Sequence, residues 1–155
     1  MSYIENHENK ENGCVFCNVQ SMPDGPENLV AWRGQHAFVI LNRYPYTSGH
    51  LMVVPFIHKS TLEELDPATR SEMMELTVQC MAVLRRVYRP QAFNMGANIG
   101  AAAGAGIEEH VHIHIVPRWS GDTNFMSTLA QTRVLPESLA ETYHRIKEAW
   151  EALKA

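Results

Sequence analysis

The segment His110-Val111-His112-Ile113-His114-Ile115-Val116-Pro117 sets three imidazoles two residues apart with aliphatic residues between them. Strict alternation is the period of a β-strand, so the three histidines share one face and the valine and isoleucines take the other. Histidine can be nucleophile, proton carrier or metal ligand near neutral pH, and a strand face built from it is a face committed to chemistry. Directly upstream, Gly100-Ala101-Ala102-Ala103-Gly104-Ala105-Gly106 is a loop whose backbone N–H groups no side chain obstructs. Such a loop can cradle phosphate oxygens, although by itself it is equally a tight connection. A nucleophile next to that cradle points to displacement at phosphorus.

A second constellation is Cys14-Val15-Phe16-Cys17. Two thiols at this spacing read as a zinc knuckle, a redox pair or a coincidence in a loop; the redox reading calls for a βαβ context that the pattern lacks. The third cysteine, Cys80, falls on the apolar stripe of a helix and is expected to be a small core residue. Three cysteines in 155 residues suit a reducing, cytoplasmic compartment better than a disulfide framework.

The elements that must carry these residues follow from periodicity and punctuation. Strands are expected over Leu29–Trp32, Ala37–Leu41, His50–Pro55, Phe93–Ile99 and His110–Pro117, with Arg33–His36 turning between the first two. A helix should start at Asp66-Pro67, an N-cap followed by proline at the first helical position, and stop at Pro90. Its stripe is Met73, Leu76, Cys80, Met81, Leu84, Val87 and Tyr88. Leu139, Tyr143, Ile146, Trp150 and Leu153 mark a C-terminal helix. The fold class is α+β, with a largely antiparallel five-stranded sheet and two main helices. Residues 1–13 are expected to be a flexible tail and residues 14–155 one domain, since 155 residues suffice for one core and are short for two.

Composition narrows the class of partner. With 45% hydrophobic and 19% charged residues and a net charge of -4, the chain is not built around a nucleic-acid surface. The longest apolar runs, such as Leu51–Ile57, are too short to span a bilayer, and Met1–Asn12 is polar, unlike a signal peptide. No nucleic-acid or membrane partner is therefore expected. His7, His36 and His144 have no companions and are expected at the surface.

Together with Asn42 and Ser48-Gly49-His50-Leu51-Met52-Val53-Val54-Pro55, the histidine strand resembles the histidine triad (HIT) superfamily of nucleotide hydrolases and transferases. Pro117-Arg118-Trp119-Ser120-Gly121-Asp122-Thr123-Asn124-Phe125-Met126 is similar to the corresponding segment of its diadenosine-polyphosphate hydrolases and phosphorylases. The resemblance implies a HIT-like fold and His112 as the nucleophile that forms a nucleotidyl-histidine on a substrate such as diadenosine tetraphosphate, with phosphate or water as acceptor. It implies His114 as donor to phosphate or leaving group, His50 as an orienting histidine, Asn42 on the ribose, and Asn98, Gly104, Gly106 and Trp119 near the substrate, with Phe38 or Ile40 as walls for the base. Gly106 departs from the Gln or Ser that the family often carries there. Zinc-bearing members imply a structural zinc held by Cys14, Cys17, His58 and His110. Magnesium accompanying the polyphosphate, with Asp122 near it, and a homodimer formed through residues 66–89 and 93–99 complete the expectations. The alternatives are a nucleoside phosphoramidase of the same family and a non-catalytic nucleotide-binding or adaptor module.

Overall fold

The computed structural model describes residues 13–123 and 137–155. All but the last residue of the expected tail, and Asn124 to Met126 of the segment after the triad, lie outside the described residues. The elements run α1 (Val15–Gln20), β1 (Val30–Arg33), β2 (Ala37–Leu41), β3 (Leu51–Pro55), α2 (Pro67–Tyr88), β4 (Ala92–Gly96), β5 (Ile113–Arg118) and α3 (Leu139–Lys154). The strands form one sheet in the order β1-β2-β3-β5-β4, every neighbouring pair antiparallel. The fold is α+β with two main helices, as expected, and a short additional helix, α1.

β2 and β3 are buried along their whole length. This explains their unbroken apolar sequences, because a strand covered on both faces has no polar alternate positions. α2 packs on β2, β3 and β5, and α3 packs on α2 and β1. Met73, Leu76, Cys80, Val83 and Leu84 are the sealed part of the α2 stripe, whereas Met81, Val87 and Tyr88 are only partly buried. Each large apolar side chain so buried contributes roughly 1.5–3 kcal/mol. In α3, Tyr143, Ile146 and Trp150 enter the core, and Leu153 stays 43% exposed at the last turn. Trp150 is fully buried and stacks on Trp32 of β1 with ring centroids 6.0 Å apart.

Local chemistry sets the ends of these helices. The Asp66 carboxylate accepts the Thr69 N–H at 2.9 Å and Pro67 opens α2. The helix ends on Arg89 in the left-handed region, just before Pro90. Ser138 and Glu141 form a reciprocal capping box at the start of α3. The turn between β1 and β2 is tied to α2 by Glu72, whose carboxylate accepts the backbone N–H groups of Gln35, His36 and Ala37.

Four strands differ from expectation at their boundaries, β3 by starting at Leu51 rather than His50. Leu29 has φ of 63° and lies outside β1, which shifts to Val30–Arg33. β4 ends at Gly96 rather than Ile99. The paired part of β5 begins at Ile113, opposite Val53, so His110, Val111 and His112 form a lead-in ahead of the ladder instead of ladder strand. Among the described residues no helix is long and apolar enough to cross a membrane.

Candidate active site and metal cluster

The three histidines keep their order along the lead-in and the start of β5, and their burial falls from His110, which is sealed, through His112, 5% exposed, to the half-buried His114. The His112 ring lies 4.7 Å from that of His114 in a T-shaped arrangement. Its Nδ1 is 2.9 Å from the His110 carbonyl oxygen. A carbonyl only accepts, so Nδ1 carries the proton and Nε2 keeps its lone pair. Burial pushes the His112 pKa down, which keeps the ring neutral.

The tautomer of His114 follows from a two-step relay. The Tyr46 backbone N–H donates to His50 Nδ1 at 3.2 Å, so His50 bears its proton on Nε2. That Nε2–H faces His114 Nδ1 at 2.9 Å, and His114 is left with an N–H at Nε2. Burial, with the neighbouring His112 adding to it, pushes the His114 pKa down to about 4. His114 is thus a neutral, fixed hydrogen-bond donor rather than an acid at pH 7.

The segment 42–50 that delivers His50 is held from several sides. The Asn42 N–H donates to the His50 carbonyl at 2.9 Å, Asn42 Oδ1 accepts the Tyr44 N–H, and the Thr47 hydroxyl donates to the Pro117 carbonyl of β5. Asn42 Nδ2 lies 3.5 Å from His50 Nε2, a contact longer than the bond His50 makes to His114. Gly49, at φ of 82°, presses its backbone against Leu84 and Tyr88 of α2 so closely that a Cβ would stand 2.8 Å from both side chains.

On the far side of His112, Cys14, Cys17, His58 and His110 present ligand atoms that all lie within 4.8 Å of one another. Cys14 Sγ and Cys17 Sγ are 3.3 Å and 3.7 Å from His110 Nδ1, and Cys17 Sγ is 3.3 Å from His58 Nδ1. Zinc–sulfur and zinc–nitrogen bonds of about 2.3 and 2.05 Å at a tetrahedral angle require sulfur–nitrogen separations of about 3.6 Å, which these distances bracket. The donor chemistry agrees. His110 Nε2–H donates to the Pro55 carbonyl at 2.8 Å, turning the Nδ1 lone pair toward the thiols. Burial and the adjacent Cys14 push the Cys17 thiol pKa up.

The other residues singled out from sequence are distributed around this row. Asn98 Nδ2 donates to the Gly104 carbonyl at 3.4 Å and braces the exposed loop, in which Gly100 and Gly104 adopt φ of 82° and 81° around the short 3-10 turn Ala101–Ala103. Gly106 is exposed. Trp119 packs edge-on against Tyr88. Phe38 is fully buried and stacks on Phe56, and Ile40 is 6% exposed. The Asp122 carboxylate takes two bonds from Arg118, both at 2.7 Å, and one from the Trp119 N–H, so its lone pairs are committed inside the protein rather than offered to magnesium.

Two participants carry no mark in the sequence. Tyr46 acts on His50 through its backbone N–H, which every non-proline residue possesses. Phe16, inside the Cys14–Cys17 spacing, places its ring 5.0 Å from His112 and 5.4 Å from His110. No helix was expected at the cysteines, and α1 is the element that carries Phe16.

Relatives bear the same architecture. The model of the HIT domain matches residues 26–121. A protein of Mycobacterium tuberculosis named AP-4-A phosphorylase is 40% identical over 135 residues, 87% of this chain and 69% of that protein. The crystal structure of a Zn-bound histidine triad family protein from Mycobacterium smegmatis superposes with a TM-score of 0.73 at 24% identity, covering 92% of this chain and 96% of the other. A hypothetical histidine triad nucleotide-binding protein from Sulfolobus tokodaii gives 0.71 at 26% identity, covering 91% and 94%. On the matched residues and the identity to the mycobacterial relative, the chain belongs to the HIT family.

Proposed function

We propose that this protein cleaves dinucleoside polyphosphates such as diadenosine tetraphosphate by way of a nucleotidyl-histidine on His112, and that inorganic phosphate is the acceptor. The observation that carries the reading is the tautomer of His112: with Nδ1–H donated to the His110 carbonyl, the neutral ring offers Nε2 as nucleophile. In the first step Nε2 attacks the α-phosphorus, a P–N bond forms, and the P–O bond to the rest of the polyphosphate breaks. The departing nucleoside triphosphate is a stable anion and needs no proton. The neutral His114 Nε2–H suits this, since it steadies developing charge by hydrogen bonding rather than by proton transfer. In the second step phosphate attacks the same phosphorus, the P–N bond breaks, and a nucleoside diphosphate leaves. Water in its place gives the monophosphate.

Asn42 takes the ribose, and the Gly100–Gly106 backbone, braced by Asn98, takes phosphate oxygens. Gly106 brings no side-chain donor, so that part of the phosphate rests on backbone N–H groups. Identity to the AP-4-A phosphorylase supports phosphate over water as the acceptor. The Cys14, Cys17, His58 and His110 set is assigned to zinc. Four protein ligands leave no open position, so the metal supplies rigidity to α1 and the triad lead-in rather than a reactive site. Exposed Met74 and Val78 on α2 and Met95 on β4 supply an apolar face for a homodimer, and three free cysteines suit a reducing cytoplasm.

The test is incubation with diadenosine tetraphosphate, with and without inorganic phosphate, and chromatographic identification of products. ADP and ATP formed only with phosphate is the expected result, and AMP and ATP in both arms would make the protein a hydrolase. His112→Asn should abolish turnover and spare nucleotide binding; undiminished turnover in that variant would refute the nucleophile.

A further inference from the structure

One hydrogen bond from Nδ1 does not by itself orient the His112 ring, because the imidazole can still tilt about the Nδ1···O axis. The ring is held by what lies against it. On one side is the His114 ring at 4.7 Å, and on another the Phe16 ring, at 5.0 Å and an interplanar angle of 60°. Phe16 is 2% exposed and also meets the His110 ring edge-on, at 5.4 Å and 80°. One phenyl ring therefore bears on both the nucleophile and a ligand of the four-residue cluster.

The element that carries Phe16 cannot hold itself in place. α1 is six residues long and its N-cap, Cys14, makes no side-chain capping bond. Helices this short are not stable alone. It is fastened by the buried Val19, by Gln20 Nε2 donating to the Phe56 carbonyl at 3.1 Å, by Arg33 donating to the Gln20 carbonyl at 3.0 Å, and by the two cysteines that bracket Phe16. Cys14 reaches His110 and Cys17 reaches His58 and His110. A cation held by those four ligands would fix both ends of the first turn of α1, and with them the backbone that carries Phe16.

We infer that Phe16 is a positioning residue that holds the His112 imidazole in its attacking orientation and transmits occupancy of the Cys14–Cys17–His58–His110 cluster to the nucleophile. This rests on His112 being the nucleophile of the proposed reaction. A ring 1 Å or so out of line costs on the order of 10–100-fold in rate without weakening the binding of substrate.

The experiment uses Phe16→Leu and Phe16→Ala in the full chain, first checked for folding by circular dichroism and for zinc content. With diadenosine tetraphosphate, Phe16→Leu should lower kcat about tenfold and Phe16→Ala further, with KM within about threefold of wild type. A rise in KM with kcat unchanged would overturn the inference and make Phe16 a wall of the substrate site. A second readout needs no substrate: nitrogen-15 NMR of the His112 ring. Wild type should show a single Nδ1–H tautomer, and both variants a broadened or mixed one. Chelating the metal from wild type should shift the same His112 signals, whereas in Phe16→Ala chelation should add little. Unchanged His112 signals in the variants, or a full chelation response without the phenyl ring, would refute the link. If wild type fails to cleave the dinucleotide, the proposed reaction fails, and the NMR arms still decide the role of Phe16.

Discussion

Replacing Gly49 by alanine tests whether α2 packing sets the position of His50. The residue sits at φ of 82°, and an added Cβ would stand 2.8 Å from both Leu84 Cδ2 and Tyr88 Cε2, well inside the 3.5–4.0 Å optimum for carbon contacts. The left-handed backbone costs an alanine about 1–2 kcal/mol, and overpacking adds about 1–3 kcal/mol. Leu84 can swing its methyl aside. Tyr88 has less freedom: its hydroxyl donates to Glu137 and the Arg145 guanidinium lies 4.8 Å from its ring centroid. The strain is thus passed into segment 42–50 and to the His50–His114 bond one residue away. Gly49→Ala should lose about 2–5 kcal/mol in urea unfolding, melt roughly 5–15 °C lower, and show kcat reduced at least about tenfold. Gly121→Ala is the control, because Gly121 has φ of 80° with nothing within 4 Å of its Cβ position, so it registers backbone strain alone. Equal losses in the two variants, or a Gly49→Ala protein within about 0.5 kcal/mol of wild type with full activity, would refute the packing argument.

Cys17→Ser should lower zinc affinity by more than the 10–100-fold typical of outer-shell changes, measured by competition with a chromogenic chelator; stoichiometric zinc retained against chelator would remove Cys17 from the ligand set. Stability should fall on acidification because folding holds His114 neutral. Its pKa is lowered to about 4 from the ordinary 6.5, so its contribution is complete above pH 6.5 and is lost as pH falls toward 4. The loss is at most about 3 kcal/mol before solvent screening reduces it, and His114→Gln should flatten that part of the urea-midpoint profile. Arg89→Gly should raise stability by about 0.5–1 kcal/mol, because Arg89 closes α2 at φ of 49° and ψ of 51°, where glycine pays no Cβ penalty; a lower denaturation midpoint would contradict this.

Legibility from sequence tracked how local the determining physics is. The start of α2 could be read from Asp66 and Pro67, and its end, at Tyr88, falls two residues short of Pro90, since these residues act on the backbone next to them. The core strands β2 and β3 were legible as apolar runs between turns. Phe38 shows the limit of such reading, because an apolar residue in a buried strand looks the same whether it faces a ligand or Phe56. α1 left no trace, since its position comes from contacts up to 96 residues away, such as Cys14 with His110. The gathering of Cys14, Cys17, His58 and His110 was accessible through resemblance, whereas the backbone donors and acceptors that set each tautomer are invisible in side-chain types. Asp122, an acidic residue in a loop, gave no sequence signal that Arg118 would occupy both its oxygens.

The shortened ladder of β5 is the condition for the chemistry proposed for it. Extending the register of Val53 with Ile113 would pair Val54 with His112 and Pro55 with Val111, and neither pair forms. Their absence leaves polar backbone groups of the lead-in free for other partners. The His110 carbonyl accepts from His112 Nδ1, and the Pro55 carbonyl accepts from His110 Nε2. The Val111 N–H finds the Lys59 carbonyl at 2.7 Å, so the buried donor is not orphaned. Two histidines are thereby locked in opposite tautomers, Nδ1–H at His112 and Nε2–H at His110. One turns its lone pair toward the proposed substrate and the other toward the sulfurs. A fully paired strand would keep the same alternation of side chains and lose the means of telling these two rings apart.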